Sequence, residues 1–134
     1  MQRVDFIGQR LGVDKQGNNV YRVSVNGVEI GYKLIGSGEP LVMIMGMGST
    51  MEFWPVKLIE LLSKKYQLIL FDNRGMGYST VNEEEFSIEL FARDVVALLD
   101  ILKIKRAHVM GVSMGGAISQ QLLLEHSDHF DKVI

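Results

Sequence analysis

Among 134 residues, the types and spacing that could do chemistry converge on Ser113. It stands in Gly111-Val112-Ser113-Met114-Gly115, a G-x-S-x-G pattern between the apolar run Ala107 to Met110 and a stretch that reads as helix. A serine on so tight a strand-to-helix turn projects its hydroxyl from the end of a sheet. The helix that follows offers free N–H groups and its positive dipole end to nearby negative charge. The chemistry this suits is acyl transfer, with the hydroxyl as nucleophile and backbone amides holding the oxyanion. One such donor is worth about 3–4 kcal/mol in the transition state. The plainer reading of Ser113 is a serine that caps a helix after a glycine turn.

The elements that must position this residue follow from periodicity. Residues 1–19 are polar and punctuated by glycine and asparagine, a lead-in or a short edge strand. Tyr21–Val25 and Val28–Tyr32 alternate like half-buried strands around Asn26-Gly27, a strong hairpin signal. Leu41–Met45 and Leu68–Phe71 are continuous apolar runs, the mark of interior parallel strands, and another strand is expected at about Arg106–Met110. Helices are expected from Pro55 to about Lys64, with Leu58, Ile59, Leu61 and Leu62 inward. Two more are expected from Ile88 to Leu102 and from Met114 to about Glu125. Ser87 is placed to cap the second and Phe86 to pack on Phe91. Asp131–Ile134 opens one more strand. Alternating strands and helices argue for an α/β protein: a mostly parallel, doubly wound sheet with an N-terminal antiparallel hairpin, forming one domain.

In such a sheet, ligands bind at the carboxyl ends of the strands. Three glycine-rich loops leave those ends: Gly46–Thr50, Asp72–Ser79 and Gly111–Gly115. A dinucleotide site is disfavoured, since Gly46-x-Gly48 has Met51 where a third glycine belongs, and no Gly-Lys-Ser/Thr forms a P-loop. Methionines at 43, 45, 47, 51, 76, 110 and 114 gather in or beside these loops, suited to an adaptable apolar pocket or to core filling. Phe53 and Trp54 could line a pocket mouth or cover the sheet.

Taken in order, the three loops resemble the α/β-hydrolase fold family over residues 20–134. Met45-Gly46-Met47-Gly48 resembles its oxyanion loop, and Asp72-Asn73-Arg74-Gly75-Met76-Gly77-Tyr78-Ser79 its D-x-R-G-x-G-x-S turn. Gly111-Val112-Ser113-Met114-Gly115-Gly116 resembles its nucleophile elbow. The resemblance implies Ser113 as nucleophile and the Met47 and Met114 N–H groups as oxyanion hole. Gly46, Gly48, Asp72, Arg74, Gly75, Gly77, Gly111 and Gly115 would shape the loops, Asp72 and Arg74 by pinning a turn. Met45 stands where many of the family carry histidine, which touches loop anchoring and not the amides. Serine at the elbow disfavours the aspartate-nucleophile chemistries of haloalkane and epoxide hydrolysis.

That family supplies its partners in the order serine, acid, histidine. After Ser113 the sequence offers only Glu125, His126, Asp128, His129 and Asp131, at the far end of a helix about 18 Å long. His108 precedes the elbow and reads as structural. A fragment is therefore expected, the N-terminal part of one hydrolase domain (residues 20–134), truncated after the elbow helix. It would act on a small acyl-type substrate in its parent and be inactive alone for want of acid and histidine. The apolar strand that ends at the elbow, left at the sheet edge, would self-associate or recruit a complementing polypeptide. The alternative is a non-catalytic binding or scaffold module that kept the fold.

Composition excludes much else. A net charge of −2 with interspersed signs gives no stripe for nucleic acid or an anionic membrane. Zero cysteines exclude disulfides and thiolate metal sites. The first residues lack a signal-peptide pattern and the apolar runs are too short to span a bilayer. The expectation is a cytoplasmic protein with no metal and no cofactor.

Overall fold

The structure, a computed structural model, describes residues 4–134; the first three residues of the expected lead-in lie outside it. Seven strands form one mixed sheet: β1 (Gln9–Val13), β2 (Asn19–Val25), β3 (Val28–Ile35), β4 (Glu39–Ile44), β5 (Tyr66–Phe71), β6 (Ala107–Gly111) and β7 (Phe130–Val133). Their spatial order is β1-β2-β3-β5-β4-β6-β7. The first three strands run as an antiparallel meander, and β5, β4, β6 and β7 are mutually parallel. Asn26 and Gly27 both take positive φ, 48° and 79°, the type I′ geometry that matches the twist of a two-residue hairpin.

Three helices cover the sheet: α1 (Val56–Ser63), α2 (Ile88–Ile101) and α3 (Met114–Glu125). Strand alternation sorts the core into two faces. Val42, Ile44, Ile69, Phe71 and Val109 point to one side, where Phe91, Val95 and Leu98 of α2 and Ile118 and Leu122 of α3 cover them. Leu41, Met43, Leu68 and Leu70 point to the other, under Leu58, Ile59 and Leu62 of α1, with Met51 and Trp54 at its margin. Ser87 Oγ accepts from the Leu90 N–H at 3.0 Å and the Phe86 ring sits 5.2 Å from that of Phe91, so both signals at the start of α2 operate.

Two expectations change. Leu61 is 53% exposed, because it lies off the stripe that Leu58, Ile59 and Leu62 present to the sheet. The elbow strand β6 is not at an edge: β7 pairs with it in parallel, so β6 is interior and the four-residue β7 is outermost. Among the described residues no helix is long and apolar enough to cross a membrane.

Candidate active site at the ends of β4 and β6

The chain leaves β6 at Gly111 and enters α3 at Met114, with Ser113 between them at φ 57°, ψ −121°. That conformation is strained for a residue with a Cβ, and such strain persists only where neighbouring structure imposes it. Gly111 and Gly115 show what imposes it. A methyl group at Gly115 would lie 2.1 Å from the Ile44 carbonyl oxygen, and one at Gly111 would lie 2.2 Å from the Gly115 carbonyl oxygen. The first turn of α3 is thus pressed onto the end of β4, and the chain has one sharp path between strand and helix. The Val112 N–H donates to the Ile44 carbonyl at 3.1 Å and fixes that path. Ser113 makes no side-chain cap to its helix. The residue is exposed and, among the described residues, its hydroxyl has no hydrogen-bond partner, which removes the capping account.

β4 and β6 are neighbours, with Ile44 opposite Gly111, so the loop after β4 arrives beside the elbow. A Cβ built on Gly46 would stand 3.1 Å from Ser113 Cβ, 3.5 Å from Ser113 Oγ and 3.5 Å from the Met114 nitrogen. Bare backbone at 46 therefore faces the serine and the first amide of α3. Met47 follows, 54% exposed, and Gly48 turns the chain at φ 77°. Among the described residues neither the Met47 nor the Met114 N–H meets a protein acceptor. A hydroxyl and two unpaired amides at the mouths of adjacent strands can receive a carbonyl group and hold the charge that develops on its oxygen.

The turn after β5 has the opposite character. Asp72 is buried and accepts from the Met51 N–H at 2.7 Å and the Tyr78 N–H at 2.8 Å. Burial pushes its carboxyl above the ordinary carboxylate range, with those two N–H groups pulling the other way. Gly75 and Gly77 take positive φ, and a methyl at Gly77 would lie 2.2 Å from Asp72 Oδ2. Arg74, fully buried, reaches α2: its Nε and Nη2 donate to the two carboxylate oxygens of Asp94 at 2.7 and 2.8 Å. Hydrogen bonds to Asp94 come first among the causes that raise its pKa. Ser79 Oγ donates to the Asp72 carbonyl at 2.6 Å.

Two residues of this region escaped the sequence reading. Asn73 Nδ2 donates to the Met45 carbonyl at 3.0 Å, tying the turn to the loop that faces Ser113. Nothing in its spacing announces that contact. Asp94 did leave a signal: it is a lone acid in the buried stripe Phe91, Val95, Leu98 of α2 and so required a buried partner.

The histidines lie elsewhere. His108 is paired with Leu41, packs edge-on against Tyr66 and has Glu39 3.6 Å away, at the amino ends of the parallel strands. His126 and His129 follow α3, with Asp100 3.6 Å from His129. Asp131 is held by Arg106, whose hydrogen bond is the main cause that lowers its pKa. Among the described residues no group of three or more His, Asp or Glu side chains could hold a metal.

A family model described as the alpha/beta hydrolase fold matches residues 39–134, which include all three loops. The chain belongs to the α/β-hydrolase family. It is 39% identical over 98 residues to "Putative non-heme bromoperoxidase BpoC" of Mycobacterium tuberculosis, covering 72% of this chain and 37% of that protein. It is 31% identical over 120 residues to the mouse protein "Serine hydrolase BPHL", covering 84% of this chain and 40% of that one. The enol-lactonase from Burkholderia xenovorans superimposes with a TM-score of 0.80 at 32% identity, over 84% of this chain and 44% of that one. This α/β-hydrolase chain thus spans less than half the length of these relatives.

Proposed function

We propose that this chain carries the nucleophile and oxyanion hole of a serine hydrolase acting on an ester or related acyl compound. One observation carries the reading: an uncapped, strained Ser113 whose Oγ, like the Met114 nitrogen, stands against the bare backbone of Gly46. Ser113 Oγ attacks the carbonyl carbon as its proton passes to a base. The oxygen becomes an oxyanion that accepts from the Met47 and Met114 amides. Collapse breaks the bond to the leaving group, which takes the proton, and water then releases the acid from the acyl-serine. Met47 and Val112, both exposed beside the serine, favour a small apolar acyl group.

A hydroxyl needs an adjacent base to become a competent nucleophile. His108, at the amino ends of the parallel strands, and His126 and His129, beyond α3, lie away from Ser113, so on this reading the base and its orienting acid come from residues outside 1–134. The isolated chain turns over little or not at all. The test is covalent labelling of Ser113 by a fluorophosphonate, read by mass spectrometry, with the histidine-bearing segment supplied. Labelling lost in Ser113→Ala is the expected result; absence of labelling in the supplemented wild type ends the assignment.

A further inference from the structure

Away from Ser113, on the α1 face of the sheet, a groove of about 520 Å³ runs between α1 and the β1–β2 turn. That volume falls in the range of small-molecule sites. Its apolar lining is Ile35, Leu70, Met51 and Trp54, with Val56 and Ile59 from α1. Three charged residues from three segments meet here. Lys33 is buried on β3, with its ammonium 2.7 Å from Asp14 Oδ2 and 2.5 Å from Glu52 Oε1. Burial alone would lower its pKa, but the bonds to Asp14 and Glu52 outweigh that and raise it. Asp14 is committed further, accepting from the Gln16 and Asn18 backbone N–H groups and from Asn18 Nδ2. The rim is what a ligand meets: Glu52, with its side chain 41% exposed, Glu60, exposed and without an ion-pair partner among the described residues, and Lys15.

We propose that this groove is a binding site for a small organic cation of the alkyl- or quaternary-ammonium class. Asp14, Glu52 and Glu60 outnumber Lys15 and Lys33 in the lining, and Glu60 has no ion-pair partner among the described residues, which favours positive charge, while the apolar lining suits the methyl groups that such a cation carries. Trp54, 8% exposed, is among the residues that line the groove, and ammonium against indole is the strongest of the cation–π pairs. An anion would meet Glu52 and Glu60 first, because Lys33 is enclosed and doubly paired. The site is independent of Ser113, so it stands or falls apart from the hydrolase reading.

Trp54 is the chain's single tryptophan, so its fluorescence reports occupancy directly. Choline, its uncharged carbon isostere dimethylbutanol and the carboxylate dimethylbutyrate are titrated against the 134-residue chain, with free N-acetyltryptophanamide as the quenching control. Choline gives a saturable change, dimethylbutanol binds about five- to ten-fold more weakly, and dimethylbutyrate gives none. Glu60→Gln and Glu52→Gln each weaken choline several-fold. Val56→Lys, at a half-exposed wall position, abolishes the response while far-UV circular dichroism is retained, and Ser113→Ala changes nothing. A non-saturating response, equal responses to choline and the alcohol, or insensitivity to both glutamate substitutions overturns the site.

Discussion

The turn after β5 and the elbow after β6 look alike in sequence, both short and glycine-rich at the ends of parallel strands, yet they treat their polar groups in opposite ways. Asp72, Arg74 and Ser79 are buried and each is hydrogen-bonded to protein. Ser113 is exposed, makes no cap and holds a strained φ beside the bare backbone of Gly46, and among the described residues the Met47 and Met114 amides have no acceptor. A loop that satisfies itself stabilises the fold; a loop held in strain with unsatisfied groups is ready to bind something else. Saturation of hydrogen bonds, more than composition, separates the two loops here.

Removing the polar side chains of Arg74 and Ser113 should therefore move stability in opposite directions. Arg74→Leu leaves Asp94 buried with only the Asn26 amide, 3.1 Å away, and should cost about 3–5 kcal/mol in urea unfolding. Gly115→Ala forces a methyl into the Ile44 carbonyl and should cost about 3 kcal/mol by the same measurement. Ser113→Gly relieves a positive φ, loses no cap, and should raise stability by about 1 kcal/mol while abolishing any labelling at this position. A destabilised Ser113→Gly protein would show that the serine is structural after all and dissolve the contrast.

A finer test uses pH. Asp72 has its pKa raised above the ordinary 3.8 by burial, so the folded state holds that proton more tightly than the unfolded chain. Its contribution is present at low pH and lost as pH climbs from 3.8 through the folded value. Asp14 behaves oppositely. Burial alone would raise its pKa, but bonds from Lys33 and Asn18 lower it, so its contribution is present above 3.8 and lost as pH falls through the folded value. Denaturant midpoints across the carboxylate range should show Asp72→Asn flattening the loss on the alkaline side and Asp14→Asn the loss on the acid side. The same sign from both substitutions would contradict these environments.

Features set by nearby residues were legible in the sequence. Apolar runs gave β4, β5 and β6, the Asn26-Gly27 pair gave the hairpin, and the spacing of Phe91, Val95, Leu98 and Leu99 gave α2. Partners brought together only by the folded chain were not legible. Arg74 finds Asp94 twenty residues on, Asn73 finds Met45 across a strand, and Lys33 sits among acids from two other segments. Leu61 shows the converse limit: its type suits a core, but an eight-residue helix has room inside for only one stripe. The elbow's letters were readable, whereas the strain at Ser113 and the nearness of Gly46 needed coordinates.

The Ile44 carbonyl receives the Val112 N–H and also bears the weight of Gly115. One peptide group is thus a common abutment for the strand leading to Gly46 and the helix starting behind Ser113. Any tremor of the sheet that displaces one must carry the other along. Ser113 and the Gly46 backbone would then ride as one rigid body, keeping their mutual spacing while the surrounding chain breathes.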